Sequence, residues 1–192
     1  SPPAPACPLC RRAPSAAACG CSVCWACEPA HRRRVVNFFT QKRGLRGIVK
    51  ALATVAPERH GPRFARQTFK AWFKRREPRN VGWPQVMLWP DTWNNHFHPT
   101  TAHAAVEVLE AAGFQVIVPD RSLCCGRPLY DYGMLDLAKR QLRQILDALR
   151  PYIHADLCLV GLEPSCVSVF RDELVHLLTD DEDANRFTAQ TY

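Results

Sequence analysis

The C-terminal part of the sequence predicts an α/β fold: a small parallel sheet with flanking helices. Three observations lead there. From residue 81 onward, short apolar runs alternate with amphipathic stretches of helical period. The helical stretches end at glycine or proline. The pieces follow the order β-α-β-α-β-α, which implies a parallel sheet joined by right-handed crossovers.

The elements read as follows. "QVMLW" (85–89) is a buried strand, four to eight residues of apolar character without polar alternation. Ala102, Ala105, Val106 and Leu109 then recur at helical spacing, and Gly113 stands where a helix C′ residue is expected. "FQVIV" (114–118) is the second strand. From Met134 to Leu149, Leu135, Ala138, Leu142, Ile145 and Leu149 form one apolar stripe, with Pro151 as its stop. "LCLVGL" (157–162) is the third strand. Pro164 suits the first position of a last helix, with Val167, Phe170, Leu174 and Leu177 on its inner face.

Two other segments precede this domain. The chain has 192 residues and a net charge of +7, unevenly spread. Residues 31–80 hold 15 Lys/Arg against Glu58 and Glu77, a balance of +13; residues 81–192 balance at −7. The basic segment reads as a connector with two short amphipathic helices, around "RGLRGIVKALATVA" and "RFARQTFKAWFKRR", punctuated by Pro57, Pro62 and Pro78. Residues 1–30 are rich in Cys, Pro and Ala and can hardly bury a core, so a metal would have to organise them. The expected organisation is therefore 1–30 Cys-rich, 31–80 basic helical connector and 81–192 sheet domain. No apolar run reaches the ~18 residues of a membrane helix, and the first residues lack the pattern of a signal peptide. The expected setting is cytoplasmic, where ten cysteines point to thiols, metal ligands or redox groups.

Ligands of such sheets gather at the carboxyl ends of the strands. The three loops expected there, 90–99, 119–133 and 163–166, carry Asp91, His96, His98, Cys124, Cys125, Glu163 and Cys166. Cys166 falls in the first turn of a helix, where backbone N–H groups and the dipole favour a thiolate. Cys124 and Cys125 are adjacent, an awkward arrangement on one tetrahedral ion but workable when each meets a different metal or only one binds. A vicinal disulfide demands a strained ring, and buried free thiols are the plain alternative. His96 and His98 form an H-x-H pair that zinc can use, although loop histidines more often make simple hydrogen bonds. Asp91 is a candidate ligand and equally a candidate loop cap.

"CSVCWAC" spaces Cys21, Cys24 and Cys27 as three quarters of the run used for four-iron clusters. The fourth position holds His31. A second reading pairs Cys7-x2-Cys10 with Cys21-x2-Cys24 on zinc; a third leaves the segment as a metal-free tail. Basic residues interleaved with aromatics in the connector would suit nucleic acid, but no recognition motif accompanies them, and a face that docks on an acidic partner accounts for the same charges.

"LWPDTWNNHFHP", "AAVEVLEAAGFQVIVP", "LCCGRPLYDYGMLDLAKR" and "VGLEPSCVSVFRDEL" together resemble the cysteine-rich CCG domain. More narrowly, they resemble its form in the C-terminal iron–sulfur part of FAD-linked oxidases, the D-2-hydroxyacid, D-lactate and glycolate oxidase type of dehydrogenase. "APERHGPRFARQTFKAWFKRR" resembles the connector that precedes it. The resemblance implies an electron-transfer portion of such an enzyme. Cys21, Cys24 and Cys27 would bind a 4Fe-4S cluster, and Cys124, Cys125 and Cys166, with Asp91 and Glu163, would bind Zn or Fe. FAD would belong to a flavin-binding oxidase domain or subunit outside this chain, and a downstream acceptor would take the electrons. No substrate oxidation is expected of these residues alone, and no nucleic-acid partner or transmembrane segment. The setting implied is cytoplasmic or peripheral to the inner membrane. The fuller pattern of the family has a cysteine where this chain has Asp91 and a C-x2-C where it has Glu163-Pro164-Ser165-Cys166. A single Zn or Fe, or a redox-active thiol set, then competes with a multi-iron cluster. The alternative from another class is a non-catalytic docking scaffold with a structural Zn or a vestigial site.

Overall fold

A computed structural model describes residues 30–42, 44–52, 56, 58–121 and 123–192 of the protein. Cys7, Cys10, Cys21, Cys24 and Cys27, the N-terminal ligand candidates, lie outside these residues.

The connector carries α1 (Ala30–Gln41), α2 (Leu45–Leu52) and α3 (Phe69–Phe73). The sequence pattern points to α2 and to the region of α3; α1 is additional, formed by a stretch without a clean apolar stripe. Asn37 of α1 ties this helix to the rest. Its side-chain amide donates to the Phe64 carbonyl at 2.8 Å, and its Oδ1 accepts from the Phe64 N–H at 2.9 Å. The Thr68 hydroxyl caps α3 by accepting from the Ala71 N–H.

The sheet domain follows the expected order with three added short helices. It runs β1 (Gln85–Trp89), α4 (Thr92–His96), α5 (Pro99–Ala111), β2 (Gln115–Ile117), α6 (Arg127–Asp131), α7 (Leu135–His154), β3 (Cys158–Gly161) and α8 (Pro164–Ser168). A π-helical turn (Val169–Glu173), α9 (Leu174–Leu177) and α10 (Glu182–Ala189) complete it. The three strands are parallel in the order β2-β1-β3.

Side chains of β1 alternate between two apolar clusters, as a strand covered on both faces requires. Val86 and Leu88 pack with Val116, Phe69, Ala102 and Val106, joining β1 to α3 and α5. Met87 and Trp89 point the other way, onto α7 and the C-terminal helices, where Leu142, Leu149, Phe170 and Phe187 are fully buried. The Phe170 ring lies edge-on to Trp89 at 4.9 Å and tilted against Phe187 at 5.1 Å. Because successive crossovers go to opposite faces, strand order reverses at β1, and the crevice at that switch point faces the carboxyl ends.

Two details depart from the sequence expectations. Helix α7 runs through Pro151 to His154 rather than stopping before it. The proline forfeits one backbone hydrogen bond, but Ile153 beyond it is buried in the larger cluster and the Ala155 N–H returns to the Pro151 carbonyl. Burial of Ile153 outweighs the lost bond. After α8, the π turn inserts an extra residue per turn, so Val169 and Glu173 join Phe170 and Leu174 inside, while Val167 and Leu177 are half-buried. Gly113 does close α5, with φ +87°. Among the described residues, no helix is long and apolar enough to cross a membrane.

Candidate metal and thiol site

Loops at the carboxyl ends of β2 and β3 bring three thiols together. After β2, Gly126 adopts φ +82°, a left-handed conformation that glycine takes at no steric cost. The turn places Cys124 and Cys125 inside, and the Gln141 side chain of α7 anchors it by donating to the Cys124 carbonyl at 2.8 Å. After β3, Pro164 starts α8 and carries Cys166 inward in its first turn. Gly161 at the end of β3 permits this close approach, since a Cβ there would run into Cγ2 of Val167.

The sulfurs form a chain. The Cys166 thiol donates to Cys125 Sγ at 3.0 Å. Cys124 hydrogen-bonds Cys125 in turn, and it also meets the Thr92 hydroxyl and the Gly126 N–H. No disulfide links them; all three are buried free thiols. The bond to Cys125, followed by burial, pushes the Cys124 thiol well above its ordinary range. Cys125 is drawn down by Cys124, but Cys166 and burial outweigh this and leave it pushed up to about 12. The fourth cysteine of this domain, Cys158, is exposed and apart.

Asp91 and Glu163 occupy the ends of β1 and β3 as helix caps. Asp91 accepts from the Asn94 N–H at 2.9 Å and from the Asn94 side chain at 2.7 Å. Burial raises its pKa against those bonds, with a smaller contribution from the charge of Glu163. Glu163 accepts from the Ser165 N–H at 3.3 Å and hydroxyl at 2.9 Å. His96 is turned away to Asn95, whose side-chain nitrogen meets its Nε2 at 3.0 Å, and His98 is exposed. Among the described residues, no group of three or more His, Cys, Asp or Glu is arranged to hold a metal ion.

The sequence pattern does not reveal three supporting residues. Arg127, directly after the double-cysteine turn, pairs with Glu173 of the π turn and with Asp131 at 2.9 Å. The Glu173 side chain is only 8 % exposed, and Ser168 donates to it at 3.4 Å. This pair ties the Cys124–Cys125 turn to the helix of Cys166. Lys70 of α3 holds the same loop from the other side: its ammonium donates to the Asp120 and Arg121 carbonyls, both at 2.8 Å. An acid on the apolar stripe of the last helix is the one sequence signal that could have revealed Glu173.

Three thiols converging from two loops at the switch point of a parallel sheet define a cysteine-rich α/β domain. Residues 91–171 match the family model of the CCG cysteine-rich domain. Over 149 residues the chain is 24 % identical to one component of the anaerobic glycerol-3-phosphate dehydrogenase of Escherichia coli K12, covering 77 % of this chain and 38 % of that protein. It is 34 % identical over 85 residues to lactate utilization protein A of Bacillus velezensis, covering 44 % and 34 %. It is 30 % identical over 100 residues to the Bacillus subtilis protein of the same name, covering 50 % and 40 %. The chain thus spans well under half the length of these curated relatives. No solved structure matches it.

Proposed function

We propose that this chain is an iron–sulfur electron-transfer portion of a dehydrogenase that oxidises a small hydroxylated acid through a separate FAD-bearing domain or subunit. The observation that carries this reading is the buried chain of Cys124, Cys125 and Cys166 inside a CCG domain. The names of the relatives, a component of a glycerol-3-phosphate dehydrogenase and a lactate utilization protein, support a place beside a catalytic dehydrogenase partner.

The donor set suits a thiophilic iron centre or a single Zn or Fe. Cys124, Cys125 and Cys166 would be the sulfur ligands, and a bound cation would displace the protons that thiol hydrogen bonds and burial now keep on the first two. An iron centre there would supply one-electron transfer between the flavin and a downstream acceptor, whereas zinc, which has no redox chemistry, would only fix the thiols in place. The protein positions the thiols through Gly126, Gly161 and the Arg127–Glu173 pair, and excludes water by burying all three, Cys125 and Cys166 in the cluster that holds Trp89 and Phe170. Asp91 and Glu163 keep their cap bonds and act by holding α4 and α8 in place. Cys21, Cys24 and Cys27 would hold a second, 4Fe-4S centre. The proposed setting is the cytoplasm or the inner face of the membrane.

The test is purification without oxygen, followed by iron, zinc and acid-labile sulfide analysis and by electron paramagnetic resonance after reduction. Iron in stoichiometric amount, with a signal that appears on reduction, is the expected result. Protein without iron or zinc that still passes electrons from its partner would overturn the reading.

A further inference from the structure

The two edges of the sheet are finished differently. On the β3 side the chain covers its own edge. The Leu159 N–H donates to the Gln190 carbonyl at 2.8 Å, the Tyr192 N–H to the Leu159 carbonyl at 2.8 Å, and the Gly161 N–H to the Tyr192 carbonyl at 2.9 Å. Residues 190–192 therefore lie along β3 as a short parallel addition.

Among the described residues the β2 edge has no such cover, since β2 pairs with β1 alone. The Gln115 N–H donates to the Pro84 carbonyl at 2.9 Å. That bond turns Gln115 and Ile117 toward β1, so alternation directs the backbone groups of Val116 and Val118 outward. They open onto a groove of about 310 Å³ between β2 and residues 70–79, with Phe73 in its wall.

The groove carries surplus positive charge. Lys70, Lys74, Arg76 and Arg79 line it against Glu110 and Asp120. Arg76 is committed to Glu110 at 2.7 Å and Lys74 to Asp120 at 2.8 Å. Lys70 bonds only carbonyl oxygens through its ammonium, and Arg79 has no acidic partner among the described residues. An uncovered edge is a template for strand addition, and cations beside it select the sign of what adds.

We propose that the β2 edge is a docking site for an extended acidic segment of a partner protein. The segment pairs its backbone with Val116 and Val118 and sets carboxylates against Arg79 and Lys70. This gives the basic excess of the connector a role that the metal site does not need.

The experiment titrates a labelled peptide of alternating Val and Glu into the full chain and follows fluorescence anisotropy and amide hydrogen exchange. Saturable binding with slowed exchange at Val116 and Val118 is expected. Arg79→Glu should weaken it about tenfold. The same peptide methylated on its backbone amides keeps every carboxylate but cannot pair, and it should fail to bind. Three results would each overturn the proposal: no binding of the unmodified peptide, equal binding of the methylated one, or tighter binding of a single-stranded oligonucleotide at the same groove. All of these readouts are independent of metal content, so failure here leaves the electron-transfer reading standing.

Discussion

Cys125 and Cys166, on loops after different strands, bring their sulfurs to 3.0 Å in a hydrogen bond, without a covalent bond between them. A disulfide would stand at about 2.05 Å. The contact joins the turn after β2 to the first turn of α8, so whatever the thiols bind is held by two elements of the sheet rather than by one loop. Anything that moves α8 against β3 moves one thiol relative to the other.

Replacing the paired thiols tests this directly. Cys125→Ser and Cys166→Ser should each remove most of the iron or zinc from protein purified without oxygen. Cys158→Ser, an exposed position on β3, should leave it unchanged. Elemental analysis of the three variants beside the parent decides the matter; equal metal in all four would remove the thiol pair from the site.

Gly161 sets how closely α8 approaches β3. A methyl group there meets Cγ2 of Val167, a branched side chain close to its own backbone. Gly161→Ala should lower the melting temperature and the metal content together, by displacing Cys166. Adding Val167→Ala opens the space and should restore the metal content. Recovery in the double variant separates a steric cause from simple unfolding.

The Arg127–Glu173 pair predicts a non-additive stability cycle. Glu173 is nearly buried, so Arg127→Met leaves a carboxylate without its cation and should cost about 2–4 kcal/mol in urea unfolding. Arg127→Met combined with Glu173→Leu removes both charges and should recover most of that loss.

The sheet and the convergence of its three loops were legible because buried strands and amphipathic helices have unmistakable periods. Gly113 and Pro164 marked boundaries for reasons of backbone geometry alone. Pro151 misled because a local rule was overridden by the burial of Ile153, two residues on. The π turn was invisible, since an inserted residue changes which side chains face inward without changing composition, and Val169 took the place expected of Val167. Arg127 and Glu173 are 46 residues apart, and no local pattern announces a long-range pair. Asp91 and Glu163 sat in the right loops; only coordinates show their oxygens engaged with Asn94 and Ser165.

His96 gives the protein an acid-sensitive fold. Burial first, and then the charges of Arg33 and Lys70, lower its pKa from 6.5 to about 4. The surroundings explain why. The Lys70 backbone N–H donates to Asn95 Oδ1 at 3.1 Å, which leaves the Asn95 NH₂ group facing His96 Nε2, so Nε2 accepts and the proton sits on Nδ1. Nδ1 is itself buried without a partner. A second proton on Nε2 would confront that NH₂ group and add a charge beside two others. Between pH ~6.5 and ~4 the unfolded chain therefore binds a proton that the folded chain refuses, and stability falls as pH falls through that window. The expected loss is about 1–2 kcal/mol once solvent screening is allowed for. Urea unfolding across the window should show a slope that is absent in His96→Gln, which cannot titrate; an identical slope in the variant would place the acid sensitivity elsewhere.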